Sequence, residues 1–316
     1  MPHIKICECN KNGLGHLCNC PNGKHTPTSR KIQGLIALMR PFTLITPFFA
    51  AFVYAYVILG LGIFEQHNLL LIITAAFALA LLNAISNAIN QLSDIKEDKI
   101  NKPNRPLITQ DLTELDVFTF VCYGMLIEIL ILTILGNIRF ALAVIGILFF
   151  AIIYSLYPRT KRLFIWNNLT IAIPRGLLGA YAIFALFGVF ATSNPYCYAG
   201  LAIAVTIFVF GGNTTKDIKD ETGDKQAGIR NFVTVYGVKK AMELTCVLTA
   251  TSIILLSILA WYDIVPKGEQ FLIVLLPLSF VYCMHEKWKY SKFGLWNYFY
   301  LHFMLVLVVG ALLWHM

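Results

Sequence analysis

From residue 32 onward the chain alternates long apolar runs with short polar connectors. A run of about 20 apolar residues is long enough to cross a bilayer as a helix. Nine such runs recur, near residues 33–63, 69–93, 114–136, 139–157, 164–190, 196–215, 240–262, 269–286 and 293–315. Only Gly136-Asn137 separates the third from the fourth, which predicts a tight antiparallel pair. The eighth contains Pro277, tolerable in a membrane helix whose neighbours re-satisfy the freed backbone. The pattern predicts an all-α membrane protein, a nine-helix bundle around a central polar cavity open to the cytoplasmic side and reached sideways from the lipid. Residues 1–31 break the pattern. They are polar and cysteine-rich, with no apolar core segment, so they predict a separate cytoplasmic tail before a membrane domain over 32–316 and no cleavable signal peptide.

Two apolar runs carry polar stripes. Asn83, Asn87, Asn90, Asp94 and Asp98 step by four, three, four and four, and Asn213, Asp217, Asp220 and Asp224 by four, three and four. Such steps place side chains on one helical face. Polar groups at that depth face a bundle interior or cavity rather than lipid. The two stripes end the second and sixth spans, about 120 residues apart, as in a pseudo-duplicated bundle whose halves meet at one site. Carboxylates this close repel unless a cation sits between them. Facing each other, the stripes form a cage of hard oxygen ligands suited to Mg²⁺ and a diphosphate.

Composition and charge sharpen this picture. Hydrophobic residues make up 58% and charged ones 13%, with mean hydropathy +0.69, which leaves no room for a second soluble domain. Of the 25 Lys and Arg, 22 fall in the tail and alternate loops on the side of the acidic stripes. Arg139 and Lys267 fall on the other side, and Arg175 lies within a span. This asymmetry predicts a cytoplasmic N-terminus and cytoplasmic acidic stripes. With nine spans it predicts a C-terminus outside. The net charge of +8 is thus concentrated on one face, where it attracts anionic membrane lipids and can bind an anionic substrate. Cations dispersed over several loops argue against a nucleic acid partner.

The segment Asn90 to Pro106, NQLSDIKEDKINKPNRP, resembles the UbiA superfamily of intramembrane prenyltransferases, with its NxxxDxxxD core and following Asn-Lys-Pro-x-Arg-Pro. Lys216 to Asp224, KDIKDETGD, resembles the family's second acidic motif, apart from Glu221-Thr222-Gly223, where a hydrophobic residue then Glu-Gly is expected. Tyr157-Pro-Arg-Thr-Lys161-Arg162 resembles the basic loop between the fourth and fifth spans, and Arg40-Pro41 the Arg-Pro of the first. The resemblance covers residues 32 to 315. It implies that an allylic polyprenyl diphosphate binds with Mg²⁺ between the stripes, that the diphosphate ionises away, and that an acceptor captures the allylic cation. Asn90, Asp94, Asp98, Asp217, Asp220 and Asp224 suit the metal. Arg105, Lys161 and Arg162 suit phosphate oxygens. Tyr154 and Tyr157 suit hydrogen bonding to the diphosphate or facing the cation. Asn87, Asn213, Lys216, Arg40 and Arg175 complete the candidate binding set. An aromatic or quinone-precursor acceptor is the first expectation and a glycerol-phosphate ether lipid precursor the second. A divalent cation transporter is the rival of another class, disfavoured because no acidic counterpart lies at the far end.

Arg175 follows Pro174 inside the fifth span and is expected to meet an anion: the diphosphate, an acceptor carboxylate or Glu128 of the third span. His302 and His285 read as packing or interfacial residues, and Cys122, Cys197, Cys246 and Cys283 as small apolar fillers. In the tail, Cys7, Cys9, Cys18 and Cys20, with His16 and His25 nearby, suit a tetrahedral Zn²⁺ site, the alternative being an unstructured or redox-active tail.

Overall fold

The computed structural model describes residues 28–188, 195–288 and 294–316, so the tail cysteines Cys7, Cys9, Cys18 and Cys20 lie outside the described residues. The regular structure is helical throughout: α1 (Thr28–Met39), α2 (Pro41–Leu59), α3 (Gln66–Ser93), α4 (Ile95–Asn101), α5 (Glu114–Leu135), α6 (Ile138–Ser155), α7 (Trp166–Ile173), α8 (Gly179–Leu186), α9 (Pro195–Gly212), α10 (Glu221–Gln226), α11 (Phe232–Trp261), α12 (Leu276–Ser279), α13 (His285–Trp288) and α14 (Gly294–Leu313). Among the described residues nine helical stretches are long and apolar enough to cross a membrane: Pro41–Phe64, Gln66–Ser93, Glu114–Leu135, Ile138–Ser155, Trp166–Leu186, Pro195–Ile218, Phe232–Trp261, Lys267–Lys287 and Gly294–Leu313. The chain is a multi-pass integral membrane protein.

Side-chain distribution follows from the solvent. Leu126 and Ile134 of α5 are 62% and 69% exposed, whereas Asn168 and Asn213 are fully buried. In lipid it is the polar groups that need the interior. In the first half α3 packs against α2, α5 and α6; in the second α9 packs against α11, and α14 returns onto α2 to close the bundle. Gly176 permits one close crossing: a Cβ there would lie 2.6 Å from the Thr206 Cα, so span five approaches span six only without a side chain.

Three boundaries differ from expectation. The first span begins at Pro41 rather than residue 33, because Arg40 takes the left-handed conformation (φ 54°) and separates α1 from α2. The seventh begins at Phe232, with a non-helical Gly237 (φ 79°, ψ 162°) dividing a short entry turn from the long helix. The eighth is a series of 3₁₀ and α turns around Pro277. The Gly136-Asn137 turn behaves as expected: Gly136 is left-handed (φ 59°) at the end of α5, and Asn137 Oδ1 accepts from Phe140 N at the start of α6.

Candidate active site

The first polar stripe divides into two parts. Its upper amides hold backbone. Asn83 Nδ2 donates to Thr43 O, Asn87 Nδ2 to Met39 O and Thr43 Oγ1, each at 3.0 Å, and Gln91 Nε2 to Leu38 O at 2.9 Å. The Met39 and Leu38 carbonyls are left open where α1 ends, and that of Thr43 is left open because Pro47, four residues on, has no N–H to donate. Asn90 instead donates to Asp94 Oδ2 at 3.0 Å. Asp94 sits at the junction of α3 and α4 and receives Lys161 and Arg159 from the α6–α7 loop. Burial disfavours its charge, but the Lys161 ammonium outweighs this and holds the carboxyl below the usual range.

The second stripe starts on a 3₁₀ turn over Asn213–Ile218 and ends in α10. Lys216 Nζ reaches Asp217 Oδ1 at 2.8 Å, and Asn167 Nδ2 reaches Asp217 Oδ2 at 2.9 Å. The stripes then join. Lys102, beyond α4, pairs with Asp220. Asn101 accepts from Gly223 N at 3.0 Å and donates to Asp224 Oδ1 at 3.4 Å, while Asn231 Nδ2 holds Asp224 Oδ2 at 2.8 Å. Burial, then the nearby charges of Asp217 and Asp220, pushes the Asp224 carboxyl up to about 7. Glu221, where the motif departs from the family pattern, is half-buried and pairs with Lys225, and neither it nor Thr222 lines the cavity.

Between the stripes opens a cavity of about 520 Å³, the size of a small-molecule site. Its mouth presents Asp94, Asp217, Asp220 and Asp224 among Arg40, Lys102, Arg105, Lys161, Lys216 and Lys219; its body is lined by apolar side chains such as Leu82, Ile147 and Val209. Among the described residues no three His, Cys, Asp or Glu side chains converge as a metal cluster. The reason is visible: Lys161, Arg105, Lys216 and Lys102 each pair with one stripe carboxylate. The donor set nevertheless suits a hard divalent cation. Asp220 Oδ1 and Asn213 Oδ1 are buried without a partner among the described residues, and crowded negative charge raises Asp224.

Several expected residues are placed otherwise. Tyr157 is 94% exposed and points away from the cavity. Arg162 pairs with Glu97 at 2.7 Å outside the lining. Asp98 reaches the cavity only through Arg105, which it binds. Asn87 lines the cavity, but its amide is committed to backbone. Arg40, Tyr154 and Arg175 do line it. Burial, then Arg105, lowers the Arg40 guanidinium to about 10, and its Nη2 is buried without a partner among the described residues. Arg175 lies in a π-helical turn over Pro174–Leu178 and donates from Nη1 to Tyr300 Oη at 3.1 Å, not to Glu128. His302 packs in an aromatic cluster with Phe208 and Tyr282.

Sequence reasoning missed Arg159, Asn167, Lys102 and Lys219. Arg159 bonds Ser93 O at 2.6 Å, Asp94 at 3.1 Å and Glu97 at 3.0 Å, so it clamps the α3–α4 junction. It belonged to the basic loop already singled out, which was the available signal.

A membrane-embedded cavity with a charged mouth and an apolar body takes a substrate that is anionic at one end and hydrocarbon at the other. This is the architecture of an intramembrane transferase acting on lipid-tailed substrates. Residues 44–308 match the UbiA prenyltransferase family. The chain belongs to that family and is an intramembrane prenyltransferase. It is 28% identical over 239 residues to the digeranylgeranylglyceryl phosphate synthase of Methanosphaera stadtmanae, covering 71% of this chain and 84% of that one. It is 34% identical over 161 residues to the probable homogentisate phytyltransferase 2 of Oryza sativa, covering 48% and 41%. In fold it is similar to a UbiA homolog from Archaeoglobus fulgidus bound to GPP and Mg²⁺, with TM-score 0.67 and 19% identity over 90% of this chain and all of that one.

Proposed function

We propose that the protein transfers a prenyl group from an allylic polyprenyl diphosphate to a glycerol-phosphate ether lipid precursor, with Mg²⁺ as cofactor. The observation that carries the acceptor class is the extent of the likeness. The archaeal synthase aligns over most of both chains, whereas the plant phytyltransferase aligns over less than half of either. The aromatic or quinone-precursor acceptor expected from the sequence is therefore the weaker reading. The transporter reading is set aside by family membership. The cavity chemistry supports two anionic substrates, since its mouth holds more cations than carboxylates and Arg175 adds another deeper in.

In this reading Asn90, Asp94, Asp217, Asp220 and Asp224 would hold Mg²⁺, directly or through water, and Asp98, outside the lining, would join them once Arg105 turns from it to the diphosphate. Bound there, the metal neutralises charge developing on the diphosphate as it leaves. Lys161, Arg105, Lys102 and Lys216 exchange their carboxylate partners for phosphate oxygens, which keeps the mouth electrically balanced as substrate enters. Tyr154, whose ring lies 5.9 Å from Lys216 Nζ, lines the cavity and would stand beside the allylic end of a diphosphate held by Lys216. The apolar body excludes water from the cation until the acceptor arrives. The charge asymmetry supports a mouth on the cytoplasmic side.

The test is direct. Membranes holding the protein are incubated with radiolabelled geranylgeranyl diphosphate and, separately, geranylgeranylglyceryl phosphate, homogentisate and hydroxybenzoate. Magnesium-dependent label in the ether lipid alone supports the proposal. Label in an aromatic product alone would overturn the acceptor class.

A further inference from the structure

Two segments at the mouth end of the bundle turn an aromatic and apolar edge outward. In the α6–α7 loop Leu156, Tyr157, Leu163, Ile165 and Trp166 are all exposed, Tyr157 almost wholly. In the entry turn of α11, Val235 and Tyr236 are exposed as well. The two segments are joined. Arg230 N donates to Arg162 O at 3.3 Å, and the Phe164 ring packs against those of Phe232 and Tyr236, with centroids 4.7 and 5.5 Å apart. Together they make one ridge. It lies at the ends of three spans: Ser155 closes the fourth, while Trp166 and Phe232 open the fifth and seventh. That is the depth of the headgroup layer, where Trp and Tyr are favoured because their rings suit hydrocarbon on one side and water on the other.

The ridge also carries positive charge. Arg162, Arg230, Lys239 and Lys240 are exposed along it. Arg162 shares Glu97 with Arg159. The other three have no carboxylate partner among the described residues, and Glu243, the one carboxylate of α11, makes no ion pair with them. Cations clustered at span ends, beside aromatic rings at headgroup depth, match a molecule with a phosphate above and acyl chains below. A soluble anion would use the charges and leave the apolar edge uncovered.

The inner face of the same loop serves the mouth. Lys161 and Arg159 both reach Asp94, and Thr160 Oγ1 lies 3.2 Å from Ile153 O and from Thr170 Oγ1. Arg162 belongs to both faces, since it is exposed on the ridge and bound to Glu97 of α4 at 2.7 Å. We propose that the ridge is a binding site for an anionic phospholipid of the leaflet at the mouth, and that the lipid steadies the α6–α7 loop carrying Arg159 and Lys161. The lipid site stands apart from the reaction proposed above; its effect on transfer rests on that reading.

The experiment places the full chain in vesicles of phosphatidylcholine, alone or mixed with phosphatidylglycerol. Brominated acyl chains on one lipid or the other report which of them sits beside Trp166, read as the part of the tryptophan quenching that Trp166→Phe removes. Brominated phosphatidylglycerol should quench more than brominated phosphatidylcholine at equal fraction, and high salt should narrow the gap. Arg230→Gln, Lys239→Gln and Lys240→Gln should each lower the preference about fivefold, the ratio that ~1 kcal/mol per basic side chain gives. Lys99→Gln with Lys287→Gln, which removes exposed charges from α4 and α13 instead, should leave it unchanged. No preference for the anionic lipid would overturn the site. An equal loss in the Lys99 and Lys287 control would also overturn it, by assigning the attraction to the whole charged face. Transfer by the wild type should run faster with phosphatidylglycerol present. The variant lacking all three ridge charges should lose that response while staying active in phosphatidylcholine. Preferential binding with no change in transfer would overturn the effect on the loop. Wild-type protein that binds the anionic lipid but transfers nothing in either vesicle would overturn the proposed reaction and leave the lipid site standing.

Discussion

The side-chain amide of Asn167 donates to Asp217 Oδ2 at 2.9 Å, across 50 residues of sequence. Its carbonyl oxygen accepts from both the Tyr154 hydroxyl and the Lys216 ammonium at 3.3 Å. One buried residue at the head of span five thus fixes the orientation of an acidic-stripe carboxylate, the neighbouring cation and the tyrosine at the start of the cavity body. Asn168 continues the arrangement, donating to Phe210 O at 2.8 Å and Thr214 Oγ1 at 2.7 Å, and so ties α7 to the 3₁₀ turn that begins the second stripe.

Asn167→Ala should therefore weaken Mg²⁺ activation more than it weakens folding. Residues that orient metal-binding carboxylates typically contribute 10–100-fold to metal affinity or activity. The expected outcome is a rise of about that size in the Mg²⁺ concentration for half-maximal transfer, with KM for the acceptor little changed. A Mg²⁺ titration of initial rates checks it. A variant with wild-type Mg²⁺ dependence but a lowered Tm would reduce Asn167 to a packing residue.

Asp94→Ala and Asp217→Ala should each lower transfer by orders of magnitude, because charge stabilisation of a departing diphosphate supplies several kcal/mol. EDTA should silence the wild type and excess Mg²⁺ restore it. Product analysis by thin-layer chromatography on solubilised, size-checked protein separates this from misfolding. Turnover that persists without divalent metal would remove the stripes from the mechanism.

The nine spans were legible because a bilayer demands about 20 apolar residues of any helix that crosses it. The stripes were legible because three- and four-residue steps report a helical face whatever surrounds it. Other features carried little local signal. The break at Arg40 is preceded by Leu35-Ile-Ala-Leu-Met39, as apolar as the span itself, and its one local signal is Pro41, which disfavours helix at Arg40 and opens α2, but which hydrophobic run length outweighs in reading the span. Asn87 shares the spacing of the stripe, yet its amide is drawn to the carbonyl that this break exposes. Tyr157 lies beside the right loop, but a side chain's direction is set by the backbone turn there, and this one points outward. Asn167 looks like any amide at a span end until its partner 50 residues away comes into view.

The charge asymmetry predicts a cytoplasmic N-terminus and cavity mouth and, across nine spans, a C-terminus outside. A reporter fused after Met316 should be active only in its extracytoplasmic form, and a cysteine placed in the Asp111–Thr113 loop should label only from the cytoplasm. The opposite pattern at both sites would invert the protein. Agreement at the loop with a cytoplasmic C-terminus would mean an even number of crossings.

Arg175 and Glu128 offer the last and sharpest separation. Both are ionisable groups inside spans, and the sequence offers Glu128 as one of three anions that Arg175 could meet, with the substrate the expected one. In the structure Arg175 lines the cavity and donates to Tyr300, whereas the carboxylate oxygens of Glu128 have no partner among the described residues. A guanidinium held beside a polar cavity awaits an anion, so Arg175→Gln should raise KM for one substrate at least ~10-fold with a Tm close to wild type. Tyr300→Phe should retain most activity, since it removes a neutral partner and leaves the cation. Glu128→Leu should leave kinetics unchanged and cost nothing in stability, because relieving a buried unpaired polar group is worth about 1–3 kcal/mol. The two effects should add in the double variant, as they do for residues that share no contact. Equal destabilisation by both single substitutions, with the double no worse than either, would show instead that the pair is coupled and that Arg175 serves the fold.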